Sequence, residues 1–190
     1  VICSDKTGTL TQNRMTVQEV WIPAGGRRRD ALLAGALCND ARLEWRAGAP
    51  AAQGDPTEGA LIVAAAREGL DRNKLDEQWP RQGELPFDSS RKLMSTIHPR
   101  PEGGFRVFVK GAPDVLLERC AAGPQGVLTP RQREGILRAN EEMAGRALRV
   151  LGVASRDLAF LPPTVVPGTI ESGLTFLGLA LSAVSMLLSM

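Results

Sequence analysis

The sequence predicts an α/β fold in which helices flank a mixed, largely antiparallel β-sheet. Segments in which apolar residues recur at helical spacing alternate along the chain with short segments of strand character. Several strands are joined by hairpins, and the clearest turn is Gly103-Gly104. Because hairpins join antiparallel neighbours, this pattern favours a mixed sheet over a purely parallel, doubly wound one.

The first half of the chain contains three helical segments between short strands. Two of these helices have a residue suited to cap the amino terminus, Asp30 and Thr57. The expected elements are a buried strand running into a loop (1–5), a strand leaving it (16–22), a helix (30–40), a strand (41–46), a loop (50–56) and helices over 57–69 and 71–79.

The second half contains most of the expected strands. Thr129 is a suitable cap and Pro130 a suitable first residue for the longest helix. The expected elements are a strand, bend and strand (83–98), a strand (105–111), helices (112–120 and 130–145), a long strand (148–158), a proline-rich loop (161–168) and a last strand (174–180).

Composition indicates a globular domain and disfavours several functions. Of 190 residues, 43% are hydrophobic and 23% charged, and the net charge of +2 indicates neither a nucleic-acid binder nor an acidic tail. The one histidine, His98, disfavours histidine-based metal sites and triads, and we expect it to have no chemical role. Three widely spaced cysteines indicate reduced thiols of a cytosolic domain, and no signal peptide opens the chain.

The stretch 172–190 carries no charge and is nearly as long as the roughly 20 apolar residues that a membrane span needs. We interpret it as a buried strand, LTFLGLA (174–180), followed by an atypical tail. A membrane segment and an artificial tail are the alternatives.

Asp5 follows a short apolar strand, at the position where open α/β sheets bind ligands. An aspartate there can attack a phosphoryl group and form an aspartyl-phosphate. Lys6 offers positive charge, Thr7 offers a hydroxyl and a backbone amide, and Gly8 lets the backbone approach a phosphate closely. A divalent ion, usually Mg²⁺, is needed to neutralise the charge that develops during transfer.

Thr7 also bears on the fate of such an intermediate. Phosphatases with a similar loop often have a second aspartate there, which acts as acid and base. Without that base an acyl phosphate hydrolyses slowly, which suits a machine that couples phosphorylation to motion. A phosphatase of the haloacid dehalogenase type is therefore the weakest of the alternatives.

Five motifs follow one another in a recognisable order. They are DKTGTLT (5–11), GDPTE (54–58), PFDSSRKLM (86–94), KGAPD (110–114) and RALRVLGVASRD (146–157). Together they resemble the P-type ATPases, in particular the type II, calcium-pump-like subgroup of bacteria, and the resemblance covers about residues 1–180. It implies three parts: the first strand and DKTGTLT loop of a Rossmann-like phosphorylation domain (1–17), a nucleotide-binding domain (18–167), and the returning strand with the tail (168–190).

The resemblance also implies roles for individual residues. Asp5 matches the phosphorylated aspartate, and Asp5 and Thr7 would form an incomplete Mg²⁺ site beside the phosphate loop of Lys6, Thr7 and Gly8. Phe87 matches the aromatic that stacks on adenine, and Glu58 matches a carboxylate in the adenine pocket. The other implied nucleotide-binding residues are Lys92, Met94, Lys110, Gly111, Arg149 and Leu151.

The implied function is that of an ATP-binding, cytoplasmic-side part of a multi-pass cation pump of the cell membrane, with ATP and Mg²⁺ as ligands. Calcium is the leading cation, although Mg²⁺, Mn²⁺, Na⁺ and K⁺ stay open. We expect a monomeric excerpt that needs the actuator and transmembrane domains, because the distal aspartate loops are missing from the sequence. The alternative is a free-standing nucleotide-binding or regulatory module from a truncated pump gene.

Overall fold

The computed structural model describes residues 14–146 and 149–185, in which ten strands and six helices are assigned. The strands are β1 (Arg14–Trp21), β2 (Arg42–Arg46), β3 (Ala49–Gln53), β4 (Gly83–Asp88), β5 (Leu93–Pro99), β6 (Phe105–Gly111), β7 (Cys120–Gly123), β8 (Gly126–Val127), β9 (Arg149–Leu158) and β10 (Leu174–Ser185). The helices are α1 (Arg28–Leu37), α2 (Pro56–Arg67), α3 (Arg72–Gln78), α4 (Pro113–Arg119), α5 (Pro130–Ala144) and α6 (Pro167–Ile170).

Eight strands form one sheet in the order β4-β5-β6-β9-β10-β7-β8, and β1 pairs with β10 on the same edge as β7. The pairing of β10 with β7 is parallel, and every other pairing in the described sheet is antiparallel. The prediction of a mixed, largely antiparallel sheet flanked by helices is confirmed.

The sheet separates two apolar cores, because successive side chains of a strand point to opposite faces. On one face, Leu93 and Val107 pack with residues of α4 and α5. On the other face, Met94 and Phe108 pack with residues of α1, α2 and α3. The second core includes Ile62, Ala65 and Ala66 of α2, so it holds this helix against the sheet.

Strand β10 is longer than the predicted strand over 174–180. It continues to Ser185, because β1 and β9 pair with it on its two edges and satisfy its backbone groups. No helix within 14–146 and 149–185 has the length and apolar character to cross a membrane. The domain division at 17/18 and 167/168 stays a prediction, since β1 and β10 share this sheet with the other strands.

Two predicted helix caps are wrong. Helix α1 begins at Arg28, so Asp30 lies in its first turn and pairs with Arg27 (Nε to Oδ2, 3.2 Å). Helix α2 begins at Pro56, because Asp55 acts as the cap: its side chain accepts hydrogen bonds from the backbone N–H groups of Thr57 and Glu58. The predicted cap and first residue of α5, Thr129 and Pro130, are confirmed.

Two hairpins were missed. The segment predicted as a loop over 50–56 contains β3, which pairs with β2 through a tight turn at Ala47 (φ 50) and Gly48 (φ 76). Positive φ at both central residues is typical of a type I′ turn, for which Ala-Gly is a weak sequence signal. The hairpin of β7 and β8 follows α4 directly and is too short to give a periodic pattern.

Candidate functional site

A cavity of about 680 Å³ opens where the ends of β4, β6 and β9 meet the first turn of α2. The lining combines cationic, acidic and apolar groups with one exposed aromatic ring. Its residues are Asp55, Thr57, Glu58, Phe87, Lys92, Lys110, Gly111, Ala112, Arg149, Val150 and Leu151. Three cations face two acids, so the lining has one excess positive charge and favours an anionic ligand.

Seven residues that the sequence predicted for one nucleotide pocket line this cavity. They are Glu58, Phe87, Lys92, Lys110, Gly111, Arg149 and Leu151. Met94 was expected as an apolar wall, but it is 1% exposed, packs in the core beneath and is not among the lining residues. Asp5, Lys6, Thr7 and Gly8 lie outside the described residues.

An ion pair between Lys110 and Glu58 joins the end of β6 to the first turn of α2. The Nζ atom of Lys110 contacts Oε1 of Glu58, and the two side chains are 6% and 18% exposed. The other oxygen, Oε2, accepts a hydrogen bond from the backbone N–H of Asp40 (3.0 Å). The carboxylate is thus fixed from two sides, and Glu58 is one of the lining residues.

Asn39 holds this part of α2 against α1. It is fully buried, and its Nδ2 donates to the carbonyl oxygens of Glu58 (2.9 Å) and Gly35 (3.0 Å). Its Oδ1 accepts from the backbone N–H of Ala41 (2.9 Å). A buried amide with these partners is satisfied, and it fixes the position of Glu58 through the backbone.

The amino terminus of α2 forms another wall. Oδ1 of Asp55 accepts from the N–H groups of Thr57 (2.8 Å) and Glu58 (3.1 Å), which occupies two of the otherwise unpaired donors of this helix end. Nη1 of Arg149 donates to Oγ1 of Thr57 (2.9 Å). This bond places the guanidinium of an exposed arginine at the mouth of the cavity.

Phe87 is the exposed aromatic of the site. Its side chain is 62% exposed, and it lies where the pairing of β4 with β5 is interrupted between Leu85 and Asp88. Its place in the lining of the cavity gives a ligand a flat aromatic surface to cover.

Gly111 is needed by the backbone itself. A Cβ atom at this position would lie 2.1 Å from the carbonyl oxygen of Lys92. That same oxygen accepts a hydrogen bond from the N–H of Ala112 (3.1 Å). Lys92 has a φ of 57, a conformation that costs energy for a residue other than glycine and that is typical of functional sites.

His98 lies in the core and not in the cavity. Its Nδ1 is 2.7 Å from the carbonyl oxygen of Trp79, so Nδ1 carries the proton, and its Nε2 is 3.0 Å from Oγ1 of Thr96. Burial lowers the pKa of His98 to about 4, and the ring is neutral at physiological pH. Burial likewise raises the pKa of the Cys38 thiol, and that of Cys120 to about 12.

Four lining residues were not predicted: Asp55, Thr57, Ala112 and Val150. All four stand within the GDPTE, KGAPD and RALRVLGVASRD motifs, so only their contribution to the lining was missed. Within 14–146 and 149–185 no group of three His, Cys, Asp or Glu side chains could hold a metal ion. The residues expected to hold Mg²⁺, Asp5 and Thr7, precede that range.

Comparison with known families decides the class of protein. The family model described as P-type ATPase, cytoplasmic domain N, matches residues 28–181. The chain belongs to the P-type ATPases. The match begins at α1 and ends within β10, so it includes every residue that lines the cavity.

Full-length P-type ATPases of bacteria are similar to this chain. A cation-transporting ATPase of Synechocystis is 37% identical over 94% of the chain. The calcium-transporting ATPase 1 of Lactococcus lactis is 41% identical over 95% of it, and a calcium-transporting ATPase of Bacillus subtilis is 35% identical over 95%. The chain covers 23%, 22% and 24% of these relatives, so it spans about a quarter of their length.

Proposed function

We propose that the cavity binds ATP, and that the chain serves as the nucleotide-binding part of a cation-transporting P-type ATPase. One observation carries this proposal: Phe87, an aromatic ring 62% exposed, stands at the same cavity as the paired Lys110 and Glu58. A flat aromatic surface, a carboxylate and several cations match the base, the exocyclic amino group and the phosphates of an adenine nucleotide.

The proposed contacts follow from the position of each group. Phe87 stacks on adenine, a contact that is worth about 1–3 kcal/mol per base. Glu58 accepts a hydrogen bond from the adenine amino group with an oxygen it already uses to hold Lys110 or Asp40. Leu151 provides an apolar wall against the ring system.

The cationic groups have a separate task. Lys92 and Arg149 stand at the cavity with Lys110 and attract the phosphates, which carry most of the negative charge of ATP. Gly111 keeps the floor of the cavity flat, because no side chain could be accommodated there. Met94 acts from beneath, as part of the core that supports β5 and β6.

The proposed reaction is phosphoryl transfer to Asp5. A carboxylate oxygen of Asp5 attacks the γ-phosphorus in line, an acyl phosphate forms, and the bond to ADP breaks. Lys6 would supply positive charge to the transferred group, Thr7 a hydroxyl, and Gly8 a backbone N–H group. Asp5 and Thr7 would hold Mg²⁺, which would supply neutralisation of the negative charge on the phosphoryl oxygens.

For the whole pump we propose transport of a cation, with Ca²⁺ the leading candidate, across the cell membrane, and a position of this part on the cytoplasmic side. Support comes from the relatives, two of which are named as calcium-transporting ATPases. The actuator and transmembrane domains are the proposed partners. The chain alone should bind ATP with little turnover, and Mg²⁺-dependent hydrolysis with phosphate trapped on Asp5 would contradict that expectation.

The proposal is tested by titrating the chain with ATP, using calorimetry or NMR. Phe87→Ala should weaken binding by about 1–3 kcal/mol, which corresponds to about 5- to 150-fold in Kd. Phe160→Ala is the matched control, because Phe160 is 76% exposed and does not line the cavity. Absence of binding by the wild-type chain, or equal binding by the wild type and Phe87→Ala, would overturn the assignment.

A further inference from the structure

A buried ion pair lies behind the segment that carries Phe87, and the motifs give it no role. Glu171, at the end of α6, is fully buried, and its Oε2 is 3.0 Å from Nε of Arg91, whose side chain is 15% exposed. Neither atom has a hydrogen bond to a described residue, so charge attraction holds this contact. The other carboxylate oxygen, Oε1, accepts from Oγ of Ser95 on β5.

The arginine joins the two ends of this segment, which we name the Phe87 loop (residues 86–92). Its Nη2 donates to the carbonyl oxygens of Pro86 (2.8 Å) and Leu93 (3.0 Å). The Pro86 carbonyl belongs to the peptide group that joins Pro86 to Phe87. The hydrogen bond from Arg91 therefore fixes the orientation of this peptide group, and with it the backbone at Phe87. The Leu93 carbonyl lies just beyond Lys92, at the first residue of β5.

The hydrogen bonds of Asp88 within the loop do not hold the peptide bond between Pro86 and Phe87, which Arg91 contacts. Oδ1 of Asp88 accepts from the N–H groups of Ser90 (2.8 Å) and Arg91 (3.0 Å), which closes the tip of the loop. Those bonds shape the tip but do not reach Pro86. Pro86 and Phe87 lie in the interval where the pairing of β4 with β5 is interrupted, so the bond from Arg91 replaces a ladder contact there.

The carboxylate is itself held in place. Nη1 of Arg156 donates to the carbonyl oxygens of Thr169 (3.2 Å) and Ser172 (2.7 Å), one on each side of Glu171. A buried charge with fixed partners has few alternative positions, because any movement would separate it from its counter-ion. A series of contacts thus links Arg156 to Glu171, Glu171 to Arg91, and Arg91 to the peptide bond before Phe87.

We propose that Arg91 and Glu171 are positioning residues that hold Phe87 and Lys92 in their binding arrangement and thereby set the affinity for the nucleotide. The inference rests on the proposed function for its nucleotide part. The placement of Phe87 can be tested without any nucleotide, so the positioning role and the proposed binding of ATP can be refuted separately.

The key variant is Arg91→Lys. Lysine keeps the charge that Glu171 needs, but its single ammonium group cannot reach Glu171 and both carbonyl oxygens in the same geometry. Arg91→Met combined with Glu171→Gln is the second variant, because it leaves no unpaired buried charge and so favours folding. Arg133→Lys is the matched control, since Arg133 also joins two backbone carbonyl oxygens, those of Leu117 and Cys120, outside the cavity lining.

The first measurement uses ¹⁹F NMR of the nucleotide-free chain labelled with fluorophenylalanine. The Phe87 signal is assigned by its loss in Phe87→Ala. It should shift or broaden in both Arg91 variants and stay unchanged in Arg133→Lys. An unchanged Phe87 signal in the folded Arg91 variants would overturn the positioning role, whatever the chain binds.

The second measurement is ATP affinity. Arg91→Lys should weaken binding mainly through the displaced Phe87 ring, so we expect a loss within the range of Phe87→Ala, about 5- to 150-fold. In a Phe87→Ala background Arg91→Lys should cause less than about half of its effect in the wild type, because coupled residues are not additive. Full additivity, or wild-type affinity in Arg91→Lys, would overturn the proposal. A wild-type chain that does not bind ATP would refute the proposed function and leave the ¹⁹F result to decide the positioning role.

Discussion

Replacing Lys110 with methionine should destabilise the domain by about 3 kcal/mol. The Lys110 side chain is 6% exposed and its partner Glu58 is 18% exposed, so the substitution leaves a carboxylate with little access to water. Breaking a buried pair by removing one partner costs about 3–5 kcal/mol. We expect the lower end, because Glu58 keeps its hydrogen bond from the N–H of Asp40 (3.0 Å).

The assay is thermal or urea unfolding of the chain without nucleotide. For a domain of this size about 3 kcal/mol corresponds to a loss of about 6–12 °C in Tm. Adding Glu58→Gln to Lys110→Met should recover most of that loss, because the unpaired charge is gone. Arg28→Met is the control: the Arg28–Glu68 pair (Nε to Oε1, 2.7 Å) is 48% and 42% exposed, so its loss should cost about 0–1 kcal/mol.

Two results would refute this reasoning. The first is a loss in Lys110→Met no larger than that in Arg28→Met, which would mean that water solvates Glu58 as well as it solvates a surface carboxylate. The second is a double variant, Lys110→Met with Glu58→Gln, that is no more stable than Lys110→Met alone. In that case the cost would come from lost packing of the lysine stem and not from charge.

Two further predictions concern the backbone and the core. Gly111→Ala should destabilise the domain by more than about 2 kcal/mol, because the new Cβ would lie 2.1 Å from the carbonyl oxygen of Lys92. Gly135→Ala on α5, where a Cβ would have no atom within 4 Å, should instead stabilise the domain by about 0.5–1 kcal/mol. Equal midpoints of urea unfolding for the two variants would contradict this prediction. The pKa of His98 is lowered from 6.5 to about 4, so the unfolded chain binds more protons between these values and stability falls as pH drops from 6.5 to 4, by up to about 3 kcal/mol. His98→Gln should remove this part of the pH dependence when the free energy of unfolding is measured at several pH values. Parallel pH profiles for the wild type and His98→Gln would contradict the prediction.

Local patterns in the sequence were enough to predict most elements of the fold. The capping box of Thr129 and Gln132 at the start of α5 depends on side chains that are three positions apart, so it can be recognised without knowing the fold. The start of α1 was misplaced because its N-cap, Arg27, makes no side-chain capping hydrogen bond and so leaves no capping signal. The start of α2 was misplaced because two suitable capping residues stand close together there. Asp55 and Thr57 could each cap α2, and Pro56, favoured at the first helical position, indicates Asp55.

The extent of β10 could not be predicted from its own residues. An uncharged segment suits a strand, a tail and a membrane span equally well, and its neighbours decide among them. Strand β10 reaches Ser185 because β1, over a hundred residues earlier, pairs with it from Trp21–Leu179 to Arg14–Ser185. Long-range pairing of this kind leaves no trace in a local window.

For the candidate site, the motifs predicted the members but not their arrangement. Seven predicted residues line one cavity, although they come from α2, β4, β6, β9 and the turn before β5. Met94 was placed with them because it belongs to the same motif, but alternation along β5 points it into the core. Asn39 and Glu171 do not stand out in the sequence, because their burial and their partners depend on the folded arrangement, which no motif records.

The sequence by itself determined the family, the order of most helices and strands, and the residue types of the candidate site, because these depend on composition, spacing and short motifs. Only the tertiary structure decided which side chains face one another. The pairing of Lys110 with Glu58 and of Arg91 with Glu171 joins residues 52 and 80 positions apart. Such pairs form only when sheet register and helix packing bring them together, since the charge attraction that holds them acts over a few ångströms in the folded chain.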